Sequence, residues 1–443
     1  MKKSLLYFRQ PFTNSNELSK RAKELLQSEA LTQVVSQLPA LDIYFMVKEL
    51  GTIDAAPILR ACSASQLQAF VDLDCWNKDL FKPSALTKWL QPFAGLSPQA
   101  EVAAFLAIEN EIQTLYFAQE LLIISIEEKE DSLPPLASEP GSWVTPDRFF
   151  VVAPKSSAGD SDGPELIRLL QSLYKFVPNE AYKIIQSSIW ELQSSTEEQA
   201  YQFKTGRLEE MGFPNSESSL GLFSAPHKQD NTNRGAAFSP LDTQGLATSY
   251  ALPSGPDLLS LGIAAIEAPN LRKHFQIQLL NIANGLVVGF GESPKDFDTA
   301  KSYLDYAVAT ISLGLEQKLS PNQAMVDAHR TSVIDSVLPI LETETLANLF
   351  RLGFKEIRNL QSIVQKYMAD PIADSWLKRV PQNELSSSAE DLDRAFIHAI
   401  GHKRPEQGGY DLSKPRKTKP IYQKVELEEA TNRFERIRSA LVS

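Results

Sequence analysis

Apolar residues recur at steps of three and four over most of the chain, and this spacing predicts amphipathic helices. The first predicted helix begins after Asn14, whose side chain can cap it, with Glu17 in the capping-box position. From Glu17 to Leu38 the spacing stays helical. The same pattern predicts helices at 86–90, 98–126, 164–176, 179–190, 271–286, 294–315, 346–367 and 426–441.

Three consecutive blocks of about twelve residues repeat the same apolar positions. They start at Leu38, Leu50 and Cys62, and each has a pair of apolar residues at its ninth and tenth positions. This period fits about eight helical residues and a turn, and helices so short are stable only when packed on neighbours. Two interpretations stay open: three ordinary short helices, or a small superhelical stack that offers a binding surface.

Two segments interrupt the helical pattern. Residues 143–153 combine aromatic and β-branched residues on either side of Pro146-Asp147, which predicts a β-hairpin with a tight turn. Residues 213–257 are dense in Ser, Gly, Pro and Asn and contain few apolar clusters. A loop of that length is uncommon inside a compact domain, so this segment is predicted to be a linker between domains.

These patterns predict a mainly α protein with stacked short helices in its N-terminal part, one small β-hairpin and a helical C-terminal half. The expected segments are a stacked-helix domain at 1–132, a hairpin insertion with helices at 133–212, a linker at 213–257, a helical domain at 258–400, and a basic tail with a last amphipathic helix at 401–443. The part of the tail from Lys403 to Lys424 is expected to lack fixed structure.

Composition narrows the class of protein. Lys and Arg number 44 against 55 Asp and Glu, a formal net charge of −11, which argues against a surface built for nucleic acid or an anionic membrane. Cys62 and Cys75 are too few for a disulfide framework or a cysteine zinc site. No apolar run is long enough to cross a bilayer, and no signal-peptide core follows the basic start. The expectation is a soluble cytoplasmic protein.

Three phrases of the sequence carry a resemblance. They are LPALDIYFMVKELG through FVDLDCW at 38–76, AYQFKTGRLEEMGFP at 200–214, and LFRLGF at 349–354. Together they are similar to an uncharacterised bacterial family, the domain-of-unknown-function family numbered 6178, over about residues 30–365; this resemblance implies no activity. Segment 38–75 alone also resembles the helical N-terminal domain of the magnesium transporter MgtE, which favours stacked short helices and leaves function open.

One pair of histidines suggests a metal site. His398 and His402 stand four residues apart, so a helix would place both imidazoles on one face, with Asp391 or Asp393 one to two turns earlier as a candidate oxygen ligand. No glutamate completes an HExxH motif, and Gly401 weakens a helix between the histidines. The alternative is a chance pair of surface histidines.

Two further features invite a chemical interpretation but favour a structural one. The glycine-rich segment 285–295 lacks the spacing of a phosphate loop, so its glycines are expected to end one helix before Ser293-Pro294 begins the next. Cys75 has no histidine before it in the chain, and a buried core thiol is the expectation rather than a nucleophile.

The segment GRLEEMGFP at 206–214 also has two interpretations. Gly212 can cap a helix in the left-handed conformation, and Pro214 prevents the helix from continuing. Arg207 can instead pair with a carboxylate of the inner helices or bind an anion. A structural role is the expectation for the segment.

The segment 414–424 is a local basic cluster in this acidic chain. Its cations are candidates for contact with a partner: Lys414, Arg416, Lys417 and Lys419. The segment has one aromatic residue, Tyr422, so a base-stacking platform is not favoured, and a tail that is merely solvated or folds back on the acidic body is the alternative.

No catalytic residue and no cofactor is predicted from these motifs, and whether the chain is an enzyme stays open. The leading interpretation is a cytoplasmic interaction or scaffold protein that binds another protein, since stacked helices present surfaces. The alternative is a metal-dependent enzyme or regulator whose site is assembled from residues distant in sequence.

Overall fold

A computed structural model of the chain describes residues 5–126, 133–155, 163–226, 255–319, 330–378, 389–408 and 418–442. Within these ranges the protein is mainly α-helical, as predicted. The described residues divide into two units. The first contains the residues up to Met211 together with Ser293–Asp298, and the second contains the others from Gly212 onward.

The described part of the first unit contains twelve helices and five short strands. In chain order these are α1 (Leu5–Phe8), α2 (Ser15–Leu26), α3 (Leu31–Val35), α4 (Ala40–Leu50), α5 (Ala56–Arg60), α6 (Ala64–Asp74), β1 (Trp76–Asn77), β2 (Leu80–Phe81), α7 (Pro83–Ala94), α8 (Pro98–Leu106), α9 (Asn110–Glu120), β3 (Leu121–Ser125), β4 (Trp143–Val144), β5 (Phe150–Pro154), α10 (Gly163–Phe176), α11 (Pro178–Trp190) and α12 (Gln193–Glu210). A 3-10 turn lies at Pro135–Ser138.

The first helix predicted from the sequence is divided into two. Asn14 caps α2 as predicted, since its side chain accepts the N–H of Glu17 at 2.9 Å. The single helix expected from Glu17 to Leu38 is instead two helices, α2 and α3. Between them the Ser28 hydroxyl accepts the N–H of Ala30 at 3.3 Å, a local bond that competes with helical hydrogen bonding.

Each of the three twelve-residue blocks contributes one helix, namely α4, α5 and α6. Ser63 and Gln66 form a capping box at the start of α6. The Gln66 amide also donates to the carbonyl oxygens of Val35 and Leu38, each at 2.9 Å, and so ties α6 to the end of α3. The superhelical interpretation of the three blocks stays a prediction.

A small antiparallel sheet holds the predicted hairpin. Strands β4 and β5 pair as expected, with Trp143 opposite Val152, and Asp147 in the turn accepts the N–H of Phe149 at 3.0 Å. The helix expected to continue to Ile126 is wrong at its end, because Leu121–Ser125 forms β3 and pairs along all of β5. A short apolar run fits a buried helix or a strand equally well, so its periodicity does not separate the two.

The second unit is built from the remaining helices. They are α13 (Ser216–Leu220), α14 (Leu258–Ala265), α15 (Pro269–Gly289), α16 (Phe297–Lys318), α17 (Arg330–Thr343), α18 (Leu346–Met368), α19 (Pro371–Leu377), α20 (Ala389–Gly401) and α21 (Lys424–Val442), with a 3-10 turn at Gly221–Phe223. The first two residues of α16 belong to the first unit. This helix starts at Phe297, three residues after the expected Pro294.

Two glycines let α16 and α18 cross at backbone contact. A Cβ atom added to Gly314 would overlap the carbonyl oxygen of Leu349, and one added to Gly353 would overlap that of Thr310. No side chain fits there, so this crossing fixes α18 against the core.

The C-terminal region is partly structured. The tail expected to lack fixed structure contains two short strands, β6 (Gln407–Gly408) and β7 (Thr418–Lys419), which pair antiparallel. Gly408 packs on α20, since an added Cβ would lie 2.9 Å from the Cβ of Ala399. Helix α21, predicted at 426–441, packs Phe434 and Ile437 into a core shared with α18 and α20.

The predicted linker 213–257 overlaps described structure at both ends, with α13 and the 3-10 turn at one end and residues 255–257 at the other. Residues 227–254 lie outside the described ranges, so the predicted segmentation stays a prediction. No helix within the described ranges is long and apolar enough to cross a membrane.

Candidate functional site

A cavity of about 950 Å³ opens along α18 in the second unit. We call it the basic cavity because its lining includes Lys318, Arg351, Lys355 and Arg358. Its apolar lining is formed by Phe223, Ala225, Pro226, Leu352 and Phe354. The uncharged polar lining residues are Ser224, Asn348, Asn359 and Ser362.

Helix α18 places three of these cations on one face. The helix starts at the cap of Thr345, whose hydroxyl accepts the N–H of Asn348 at 3.2 Å. Its inner face buries an apolar stripe: Leu346, Leu349, Phe350, Ile357, Leu360 and Val364. Arg351, Lys355 and Arg358 follow one another at steps of four and three, so they lie together on the helix surface.

The cation contributed by α16 is neutralised. Lys318 Nζ pairs with Glu344 Oε1 at 2.6 Å, and the Asn348 amide donates to Glu344 Oε2 at 2.7 Å. Burial alone would raise the pKa of Glu344, but the hydrogen bonds from Lys318 and Asn348 outweigh burial and lower it. Glu344 therefore stays ionised and balances Lys318.

The three cations of α18 have no such partner. Arg351 donates from Nε to the carbonyl oxygen of Gly221 at 3.0 Å, while Lys355 and Arg358 make no hydrogen bond or ion pair within the described residues. Burial lowers the pKa of Arg351, and no carboxylate opposes this effect. Like charges at this spacing destabilise a helix by about 0.2–0.5 kcal/mol per pair, so an anion in the cavity would relieve repulsion.

An aromatic pair forms the apolar part of the cavity. The ring centres of Phe223 and Phe354 lie 5.1 Å apart, and Phe223 also contacts Phe290 at 5.0 Å. Gly289 makes room for this ring, since an added Cβ would lie 2.6 Å from Phe223 Cε2. Ring contacts and unpaired cations thus share one cavity.

Sequence reasoning missed this site although it predicted the helix. The signal was present: no acidic residue lies three or four positions from Arg351, Lys355 or Arg358. On an ordinary solvated helix face, such cations are commonly accompanied by Glu or Asp at those positions. The contribution of Phe223, which is distant in sequence, had no local signal.

The predicted histidines line a second cavity of about 660 Å³, which we call the histidine cavity. His398 lies on α20, whereas His402 lies one residue beyond the helix end, where Gly401 packs against Met368 of α18. Asp391 pairs with Arg394 and does not line this cavity.

The hydrogen bonding of His402 bears on the metal hypothesis. His402 Nδ1 accepts the N–H of Arg404 at 3.3 Å, so the lone pair of this nitrogen is engaged in a hydrogen bond within the protein. Within the described part of the chain, no three His, Cys, Asp or Glu side chains are placed to hold a metal ion. Metal binding by His398, His402 and Asp391 stays a prediction.

The cations of the histidine cavity are bonded within the protein. Arg404 pairs with Glu406 at 3.0 Å, donates to the Ser302 hydroxyl at 2.9 Å, and lies 4.6 Å from the ring centre of Tyr303. Lys403 donates to the carbonyl oxygen of Phe290. These bonds link the segment after α20 to α16 and to the end of α15, which is a structural use of the charges.

Two glycines of the segment 285–295 make room for a neighbouring turn. Gly285 lies inside α15 and Gly289 is its last residue, so the helix ends within this segment as expected. A Cβ at Gly285 would lie 3.0 Å from Leu222 Cδ1, so both glycines admit the 3-10 turn against the helix. Gly291, with φ of +69°, follows the helix in the left-handed region.

The first unit joins two of the sequence phrases through a buried ion pair. Arg207 of α12 donates from Nε and Nη2 to the two carboxylate oxygens of Asp72 in α6, at 2.7 and 2.9 Å. Burial raises the pKa of Asp72, and the hydrogen bonds from Arg207 and Gln68 counter this effect. Of the two chemical roles open to Arg207, the structure shows the pairing with an inner carboxylate. Gly212, with φ of +86°, follows α12 as expected.

Cys75 is fully buried, as expected for a core thiol. Burial, followed by the charges of Asp74 and Asp72, raises the pKa of the Cys75 thiol well above its ordinary value. A thiol in this environment is a poor nucleophile at neutral pH.

The basic cluster of the tail is described at one end. Lys419 lies in β7 and pairs with Glu426 at 2.8 Å. Lys414, Arg416 and Lys417 lie outside the described residues. Partner binding by these four cations stays a prediction.

Comparisons with known proteins identify the family and leave its activity open. No curated protein and no solved structure matches this chain significantly, so the likeness of residues 38–75 to the MgtE domain rests on the residues alone. The model of one family, described as a family of unknown function, matches residues 14–441, which is nearly the whole chain. The chain therefore belongs to the family of unknown function DUF6178.

Proposed function

We propose that this protein is an interaction protein whose second unit binds an acidic segment of a partner protein in the basic cavity. The observation that supports this proposal is the set of three cations on α18, Arg351, Lys355 and Arg358, that meet no carboxylate within the described residues. We propose a cytoplasmic location for the same protein, since both of its cysteines are free thiols.

The charge distribution favours an acidic protein segment over a nucleic acid. Proteins that bind nucleic acid usually carry a broad basic face, whereas this chain has a net charge of −11. An acidic body repels a long polyanion, while a single cavity with three unpaired cations suits a short segment with a few carboxylates.

The size of the cavity agrees with such a ligand. Its volume of about 950 Å³ lies at the upper end of the range of ligand pockets, roughly 300–1,000 Å³. Arginine and lysine on one helix face can donate to neighbouring carboxylates of an extended peptide, and Arg351 offers a planar donor set for bidentate contact.

Binding of a labelled glutamate-rich peptide to the full chain tests the proposal. We expect Lys355→Gln/Arg358→Gln to weaken binding about tenfold, which corresponds to about 0.7 kcal/mol for each exposed charge contact. The control is Lys273→Gln/Lys366→Gln, which removes the same charge from exposed positions of α15 and α18 outside the cavity. The control should bind like the unchanged protein.

If both double variants bound the peptide equally weakly, the proposal would be overturned. The peptide would then be attracted by the overall charge of the protein and not by the basic cavity. The proposal would also be overturned if single-stranded nucleic acid bound more tightly than the peptide and lost its binding in Lys355→Gln/Arg358→Gln. The cavity would then be a nucleic-acid site. Affinity for the peptide should fall with added salt, since these charges are exposed to solvent.

A further inference from the structure

We infer that the segment taken up by the basic cavity carries an aromatic side chain next to its carboxylates. This inference rests on the proposed function and adds a requirement to it. Its basis is the placement of the Phe223 ring and the three cations of α18 in the lining of one cavity.

The Phe223 ring is held in place from two sides. It contacts Phe290 at 5.0 Å and Phe354 at 5.1 Å, and Phe354 stacks on Phe350 at 5.7 Å. Phe354 and Phe350 are buried, whereas Phe223 is half-buried and Leu352 beside it is also partly exposed. The cavity therefore offers a fixed apolar surface that an aromatic ring can cover.

The cations are linked to the same turn. Arg351 donates to the carbonyl oxygen of Gly221, two residues before Phe223 in the 3-10 turn Gly221–Phe223. This bond keeps the guanidinium near the aromatic surface. Lys355 and Arg358 continue from Arg351 along α18, so the aromatic surface lies near one end of the row of cations.

This arrangement decides what kind of acidic segment can bind specifically. Contacts between exposed charges are weak and tolerate many partners, because each charge is already well solvated. Burial of an aromatic side chain on a preformed apolar surface supplies most of the affinity in typical peptide recognition. A ring beside carboxylates would use both parts of the basic cavity, whereas carboxylates alone would leave the aromatic surface in water.

Two peptides of equal charge separate this inference from the proposed function. One is glutamate-rich with a central Phe, and the other has Ser in place of that Phe. We expect the Phe peptide to bind the full chain at least about tenfold more tightly, since burial of a large apolar side chain contributes at least that factor. We also expect Phe223→Ser to remove this preference.

Phe223→Leu serves as the matched variant, because it keeps apolar bulk and should retain part of the preference for the Phe peptide. Circular dichroism of both variants establishes that they fold.

The outcomes distinguish failure of the aromatic requirement from failure of the proposed function. If the two peptides bound with equal affinity and both bound more weakly to Lys355→Gln/Arg358→Gln, the aromatic requirement would be overturned. The proposed function would still stand. Failure of both peptides to bind would overturn both claims. Displacement of the Phe peptide by inorganic phosphate at similar concentration would show a small-anion site and would overturn the requirement for a ring.

Discussion

Two arginines of this chain, Arg207 and Arg351, have opposite surroundings. Arg207 of α12 forms two hydrogen bonds with the fully buried carboxylate of Asp72, at 2.7 and 2.9 Å. Arg351 of α18 lines an open cavity, and among the described residues its one hydrogen bond goes to a backbone carbonyl. The first arginine completes the interior of the first unit, whereas the second leaves its charge available. The comparison indicates which charges stabilise the fold and which can serve binding.

Removal of the carboxylate of Asp72 should have the largest effect. Asp72→Ala leaves Arg207 without its partner, and loss of one partner from a buried ion pair typically costs about 3–5 kcal/mol of unfolding free energy. Chemical denaturation measures this loss. The exposed Asp54→Ala is the control and should change stability by less than about 0.5 kcal/mol.

The double variant Asp72→Ala/Arg207→Ala sharpens the test. Since it leaves no unpaired buried charge, it should be less destabilised than Asp72→Ala alone. A double variant that loses the sum of the two single effects would show that the pair does not act as a unit.

Lys204 supplies the next largest effect, through pH. Burial lowers the pKa of Lys204 from 10.5 to about 8, although Asp72 and Asp79 oppose this shift. Between these pKa values the unfolded chain binds a proton that the folded chain does not, so stability should rise with pH. The rise should reach about 3 kcal/mol.

The contribution of Lys204 is isolated by comparison with Lys204→Met. As pH rises from about 8 to about 10.5, the unfolding free energy of the unchanged protein should increase relative to that of Lys204→Met. Methionine is a suitable replacement because the Lys204 side chain packs on Trp76 and Tyr201, with Nζ 4.8 and 5.0 Å from their ring centres. A difference that stays constant with pH would show that Lys204 does not titrate in this range.

The cations of α18 should matter little for stability. Lys355→Gln/Arg358→Gln removes like-charge neighbours without breaking a hydrogen bond or ion pair among the described residues, so we expect unfolding free energy within about 0.5 kcal/mol of the unchanged protein, or slightly above it. Chemical denaturation is again the measurement. A loss above about 2 kcal/mol would place these residues with Arg207, among the charges that hold the fold together.

The histidine cavity should give the smallest effect. Because His402 Nδ1 accepts a hydrogen bond and Asp391 is paired with Arg394, we expect elemental analysis to find less than stoichiometric metal. A stoichiometric metal ion in the unchanged protein, lost in His398→Ala/His402→Ala, would instead support the metal hypothesis.

The sequence predicted the elements whose signals are local. Asn14 was identified as a cap, and the apolar stripe of α18 was identified from its spacing. The strand β3 was missed because its pairing with β5 depends on residues nearly thirty positions later. The ion pair of Arg207 and Asp72 joins residues 135 positions apart, so sequence left it as one of several alternatives.

The candidate site was missed for a related reason. The row of cations on α18 is visible in sequence, but a solvated helix face looks the same until packing shows a cavity beneath it. Phe223 enters that cavity only because Gly289 leaves room on another helix. A close approach between segments that are distant in sequence cannot be predicted from the apolar pattern of either segment.

Hydrogen–deuterium exchange of the full chain with and without the Phe-bearing acidic peptide tests the central claim most directly. We expect added protection in the 3-10 turn Gly221–Phe223 and in the part of α18 around Arg351–Arg358, with α20 and the first unit unchanged. Protection confined to α20 or to the segment after it, or none at saturating peptide, would contradict the claim that the unpaired cations of α18 form the binding site.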